Sequence, residues 1–187
     1  MSTDRVTLYT IGHGTLSADE FASLLHDAGI EVLVDVRSYP GSRRNPQFGR
    51  EAMQQWVPEN GVEYRWEPRL GGRRRPRAES RHVALQNDAF RAYADHMEQP
   101  DFRDALREVL VTAALRRTAV MCAESVWWRC HRRLIADAAT LVHGADVQHV
   151  FHDHRLRTHE VTPGARLDGD DVVYDAPAGD ATQERLW

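Results

Sequence analysis

Apolar positions along this chain follow two periods in alternation. Val6 to Ile11 (VTLYTI) is a short, mostly apolar run that ends at Gly12-His13-Gly14, the pattern of a strand feeding a turn. Ser17-Ala-Asp-Glu20 has the spacing of a capping box. Phe21, Leu24, Leu25 and Ile30 then recur at helical spacing, with Gly29 as a stop. Val32 to Val36 (VLVDV) is almost continuously apolar, as a strand covered on both faces should be. Strand, helix and strand joined by short connections predict a parallel pair with a right-handed crossover.

From Pro40 to Phe48 the Pro, Gly and Arg content predicts an irregular loop, followed by a helix over Arg50 to Val57 and a strand over Val62 to Trp66. The run Arg69-Leu-Gly-Gly-Arg-Arg-Arg-Pro-Arg77, continuing to Arg81 and His82, predicts a long loop, and long ordered loops are often functional. Helices are expected over Asp88 to Met97 and Asp101 to Ala114. Thr118 to Leu141 then organises the chain: a buried strand (Ala119, Val120, Met121), a polar turn opening at Cys122, and a helix from about Cys130. Leu134, Ile135, Ala138, Leu141 and Val142 form that helix's apolar stripe. Gly144 stops it, and Val147 to Phe151 gives another strand. His159 to Val161 and Val172 to Tyr174 are expected to form a terminal hairpin, and the last dozen residues a tail. The fold expected is α/β: a single domain over residues 1–187 with a mainly parallel central sheet flanked by helices.

His13, Asp35, Arg37 and Cys122 each fall at or just past the carboxyl end of a predicted strand. If those strands are parallel, the four share one edge of one sheet, where open α/β folds place their ligands. Glu124, Arg129, Cys130, His131 and Arg132 collect around the end of the fourth strand and the start of the following helix. Backbone N–H groups there favour an anion and can lower a thiol pKa.

Composition narrows the classes. An apolar fraction of 42% is ordinary for a globular protein, no apolar run is long enough to span a bilayer, and MSTDRV is no signal-peptide core. A cytoplasmic location without membrane association is expected, and Cys122 and Cys130 are then free thiols rather than a disulfide framework. The net charge of −4 argues against a generally basic coat, but all 24 basic residues are Arg and many cluster between Arg37 and Arg81. With Tyr39, Phe48, Tyr64 and Trp66 interspersed, that cluster suggests an anionic groove with stacking platforms, and Trp127 and Trp128 could hold a planar group.

Thr10-Ile-Gly-His13, Leu33-Val-Asp35-Val-Arg37 with Pro40, Leu70-Gly-Gly72, the Phe90/Tyr93/Met97 helix, Met121-Cys-Ala-Glu124 and Cys130-His-Arg132 together resemble the bacterial family called domain of unknown function 488. The likeness runs from about residue 8 to about residue 155, leaving 156–187 as the C-terminal hairpin and tail. Gly14 stands where that family commonly has Ser. The resemblance marks His13, Asp35, Arg37, Cys122, Glu124, Cys130, His131 and Arg132 as motif positions and implies no reaction. The pattern VDVR followed by strand, Cys, loop, Arg and helix is also similar to rhodanese-like sulfurtransferases and cysteine phosphatases, although the spacing from Cys122 to Arg129 is one residue longer than theirs.

Three readings follow. The first is an enzyme acting on nucleic acid or a nucleotide-like phosphate compound. Asp35 or Glu124 would be general base and His13 or His131 proton donor or orienter. Arg37 and Arg132 would clamp the anion, assisted by Arg73, Arg74, Trp127, Trp128 and Arg129. The second is a thiol enzyme, sulfurtransferase or phosphatase, with Cys122 as covalent centre. The third is a non-catalytic module that holds nucleic acid or a partner on the Arg loop. No cofactor is read from the sequence. Cys122, Cys130 and His131 have ligand types suited to zinc, but no Cys-x-x-Cys supports a metal site.

Overall fold

The computed structural model describes residues 5–41 and 43–175. The proposed tail, residues 176–187, lies outside them. Eight strands and five α-helices follow in chain order: β1 Thr7–Gly12, α1 Ala18–Asp27, β2 Val32–Asp35, α2 Arg50–Glu59, β3 Glu63–Trp66, α3 Asp88–Met97, α4 Pro100–Leu115, β4 Thr118–Cys122, α5 Arg132–His143, β5 Asp146–Val150, β6 Leu156–Thr158, β7 Ala165–Asp168 and β8 Asp171–Tyr174. Six strands form one sheet in the order β3-β2-β4-β1-β5-β6, parallel throughout except for β6. The expected α/β architecture, a mainly parallel sheet flanked by helices, is the one observed.

Strand alternation divides the core into two layers. Val34, Val36, Val120 and Cys122 face a layer completed by α3, α4 and α5. Tyr9, Ile11, Leu33, Ala119 and Met121 face the other, completed by Phe21, Leu24 and Leu25 of α1 and Met53 and Val57 of α2. The predicted capping box starts α1: Glu20 N–H donates to Ser17 Oγ, and Ser17 N–H to the Glu20 carboxylate. Gly144 closes α5 in a left-handed conformation at φ 65°.

β1 and β4 lie side by side, with Gly12 paired to Cys122. From β1 the chain leaves through α1 on one face of the sheet, and from β4 through α5 on the other. Their carboxyl ends are therefore the topological switch point of the sheet, where backbone parts and leaves a crevice.

Two expectations need correction. His159 to Val161 is not a strand. The antiparallel edge strand β6 is Leu156–Thr158, bonded to β5. The hairpin partner of β8 is β7, not His159 to Val161. The reason is that His159 is taken inward by a buried carboxylate, Asp137 of α5, at 2.8 Å. The helix expected from Cys130 begins at Arg132, after a short 3-10 turn over Trp127–Arg129.

Candidate functional site

A cleft of about 630 Å³ opens over the switch point. Its lining includes His13, Arg37, Arg73, Arg74, Glu124, Arg129 and His131, with Cys122 and Cys130 among them. The pleat splits this set into two halves.

On the α1/α2 side, Arg37 is the centre. Its Nε donates to Asp35 Oδ1 at 2.8 Å and its Nη2 to Asp35 Oδ2 at 2.5 Å, a bidentate fork. Nη2 also reaches the Phe48 carbonyl at 2.8 Å. Nη1 lies 3.3 Å from His13 Nε2. Asp35, wholly buried, accepts in addition from the Tyr64 hydroxyl at 2.7 Å and from the Arg37 backbone N–H at 3.1 Å. All four of its acceptor positions are used, it does not line the cleft, and its carboxylate holds the Arg37 fork. His13 stacks on Phe48 with ring centroids 4.1 Å apart and gives its Nδ1 proton to the Gly14 carbonyl at 2.8 Å. Burial brings His13 down to about 4, the bond to Gly14 opposes this, and the Arg37 charge adds to it. A ring that is neutral at pH 7, with Nε2 facing Arg37, is an acceptor rather than a proton donor.

On the α5 side, Cys122 ends β4 and Cys130 precedes α5; their sulfurs lie 2.6 Å apart. Cys122 Sγ accepts from Arg132 Nε at 3.0 Å and from the Glu124 backbone N–H at 3.3 Å. Cys130 Sγ takes the place of a missing cap: the N–H of Arg132, first residue of α5, points at it from 3.5 Å. His131 Nδ1 lies 3.4 Å from the same sulfur, and its Nε2–H is held by the Val36 carbonyl at 2.9 Å. Burial pushes both thiols up. At Cys130 the hydrogen bond from Cys122 and the Arg132 charge outweigh it, bringing that thiol down to about 6. At Cys122 burial comes first and the bond to Cys130 adds to it, so Cys122 is pushed well up and keeps its proton.

Arg132 is 1% exposed and heads the fully buried side chains by size. Among the described residues its guanidinium meets no carboxylate. Nε faces Cys122, Nη1 faces Thr10 Oγ1 at 3.4 Å and Nη2 faces the Glu124 carbonyl at 2.5 Å. Gly12 makes room for this clasp, since a Cβ there would lie 1.8 Å from the Glu124 carbonyl oxygen. Gly14, at φ +54°, faces Ser125 Oγ, which a Cβ would approach to 2.2 Å; Ser at this position would collide.

The remaining predicted residues divide. Glu124 is exposed and lines the cleft. Arg73 and Arg129 are exposed on the rim. Arg74 lines the cleft but spends its guanidinium on the carbonyls of Pro68, Arg69 and Gly71. The arginine facing Cys122 is Arg132 rather than Arg129. Trp127 stacks face to face on His149 with ring centroids 4.1 Å apart and the planes nearly parallel, and it does not line the cleft. Trp128 is exposed beside Phe151, also outside the lining. The weighed zinc ligands Cys122, Cys130 and His131 make no such group, because among the described residues no three His, Cys, Asp or Glu side chains are placed to hold a metal ion. The arginine loop is largely structural. Arg69 pairs with Glu67 and Glu108, Arg77 with Glu98, and Arg81 with Glu98, Asp168 and Asp171. No helix among the described residues is long and apolar enough to cross a membrane.

Sequence reasoning missed Thr10, His149, His159 and Asp137, which run as a buried hydrogen-bonded line behind Arg132. The irregular spacing of His149, His152, His154 and His159 in the sequence suggests exposed histidines, whereas His149 and His159 are buried. A family model described as "Domain of unknown function DUF488" matches residues 17–139, a narrower span than 8–155. No curated protein and no solved structure matches the chain.

Proposed function

Because the chain belongs to the DUF488 family, whose description assigns no activity, we propose its chemistry from the site: a thiol-dependent enzyme acting on an anionic, nucleotide-like phosphate compound. One observation carries the reading. A buried guanidinium needs an anionic partner, and Arg132 faces a sulfur where the other buried arginine among the described residues, Arg37, faces a carboxylate. The Cys122–Cys130 pair is its counter-ion, with one proton and one negative charge between two sulfurs.

The roles follow from position. Cys130, the more acidic thiol, is the nucleophile, and Cys122 S–H donates to it and keeps it in place. Arg37, Arg73 and Arg129 bind the substrate's anionic group across the cleft. As a bond forms between Cys130 Sγ and the substrate, the leaving group departs with the bonding pair and takes a proton from water. Glu124, exposed beside the cleft, is the carboxylate placed to accept a proton from the water that then cleaves the sulfur–substrate bond and frees the thiolate. The nucleotide-like character is supported by a second hollow of about 640 Å³ that shares Ser38, Tyr39 and Gly41 with the cleft. Tyr39 is 75% exposed there, and the Arg50 guanidinium lies 4.5 Å from the Trp66 ring centroid. A planar ring beside a phosphate suits that pairing.

The test is alkylation of the folded protein against pH, read peptide by peptide, with and without nucleoside monophosphates. A labelling midpoint near 6 on Cys130, slowed by the nucleotides, is the expected result. Labelling only after unfolding, or a midpoint at the ordinary thiol value of about 8.5, would overturn the reading.

A further inference from the structure

Behind Arg132, away from the cleft, four polar side chains in the core form a line with a direction. Asp137 of α5 is wholly buried and accepts from three donors. These are the Tyr174 hydroxyl at 2.8 Å on Oδ2, and the Thr162 N–H at 2.9 Å and His159 Nε2 at 2.8 Å on Oδ1. His159 gives its Nε2 proton to Asp137, and its Nδ1 lies 3.0 Å from His149 Nε2, placed to accept from it. His149 in turn leaves Nδ1 as an acceptor for the Thr10 hydroxyl at 2.6 Å. The Thr10 oxygen, its proton committed to His149, has a lone pair for Arg132 Nη1 at 3.4 Å. In this arrangement every donor in the line points toward Asp137.

Burial first, with the Arg132 charge adding to it, holds His149 far below its ordinary range, so it stays neutral. Trp127 lies flat against it and keeps water out. Two histidines, a threonine and an aspartate buried together are costly unless fully bonded. Packing alone does not call for them.

We infer that Asp137, His159, His149 and Thr10 are positioning residues for Arg132, holding its guanidinium so that Nε stays on Cys122 and the sulfur pair keeps its charge. Because an arginine does not give up its proton, the line is an anchor and not a proton wire to the thiols. Its negative end polarises each bond in turn, leaving more negative charge on the Thr10 oxygen beside the buried cation. The inference rests on the thiol reading above and extends it to the side chains that set the reactivity of the pair.

The groups facing the two sulfurs are Arg132 from α5, His131 just before it, Tyr93 from α3 and the partner sulfur itself; Arg74, from the loop after β3, acts on His131 and Tyr93. Burial lowers His131 and raises Tyr93, so both are neutral near pH 7. Arg132 is thus the cation whose placement controls the pair.

The experiment compares alkylation midpoints in wild type, Thr10→Val, Thr10→Ser and Asp137→Asn, with thermal melting alongside. Thr10→Val keeps the shape and removes the hydroxyl, and is expected to raise the Cys130 midpoint by about one pH unit, so that at pH 7 the thiolate fraction falls from about nine-tenths to about one half. Thr10→Ser keeps the hydroxyl and should retain the wild-type midpoint even if it melts earlier. Asp137→Asn should shift the midpoint in the same direction as Val. If Thr10→Val does not fold, Thr10→Ala, smaller and also without a hydroxyl, takes its place. A low wild-type midpoint left unchanged in both the hydroxyl-free and the Asp137→Asn proteins would overturn the positioning role alone. A wild-type protein without a low midpoint would overturn the thiol reading and this inference with it.

Discussion

Gly12 and Arg132 compete for one space: a Cβ on Gly12 would lie 2.7 Å from Arg132 Nη2 and 1.8 Å from the Glu124 carbonyl oxygen that Nη2 grips. Backbone cannot move away cheaply at the second contact, because Gly12 is bonded into the sheet beside Cys122. Gly12→Ala is expected to cost about 2–4 kcal/mol, as overpacking with displacement of a buried charge does. It should also raise the Cys130 midpoint. Urea unfolding and pH-dependent labelling check the two effects separately.

Arg132→Met removes the cation while keeping much of the side-chain volume. Breaking a buried charge pair costs about 3–5 kcal/mol when the partner stays charged. Here the partner can take up a proton, so the stability loss should be smaller and the change in labelling larger. Arg132→Lys should not restore the midpoint, because a single ammonium cannot meet Cys122, Thr10 and Glu124 together.

Asp35→Asn distinguishes a base from a positioning residue. Its carboxylate lies on the α1/α2 side and holds the Arg37 fork. Nucleotide protection of the thiols should weaken about tenfold or more, as the loss of a charged bidentate anchor does. The Cys130 midpoint should move little. A large midpoint shift with unchanged nucleotide protection would contradict this division of the site.

Acid should destabilise the fold from about pH 6.5 downward. His13 and His149 are both held below their ordinary value, chiefly by burial. The unfolded chain therefore takes up protons that the folded one refuses, and stability falls as pH drops below the unfolded value of about 6.5. For His13 the loss levels off near its folded value of about 4. One pH unit below 6.5, His149 alone contributes a loss of about 1 kcal/mol. Melting at pH 7.5 and 5.5 measures it, and a His149→Gln protein should show a shallower acid slope.

The rim arginines and the loop arginines should behave oppositely. Arg73→Gln with Arg129→Gln is expected to reduce nucleotide protection and its salt dependence with little change in melting. Arg81→Gln loses contacts to Glu98, Asp168 and Asp171 and should lower the melting temperature while leaving protection intact.

Much of this protein is legible in the order of its residues. Continuous apolar runs at Val32 and Ala119, the capping box at Ser17 and the helical stripe from Leu134 each follow from local rules of strand and helix. The strand–helix–strand order forces parallel pairing, so the convergence of His13, Arg37 and Cys122 on one sheet edge could be read before any contact was known. The period of two then set a limit. Asp35 and Cys122 end neighbouring strands, yet their side chains lie on opposite faces of the sheet, and register decides such a difference by a single residue. Which arginine meets the sulfur, Arg132 rather than Arg129, depends on where the turn after β4 ends and α5 begins. The line from Asp137 to Thr10 joins positions 139 residues apart in its longest step. No local pattern encodes such a partnership, because burial and hydrogen-bond direction are properties of the packed molecule. Sequence alone determined where these polar side chains gather; packing decided which are spent on holding one another and which are left facing the cleft.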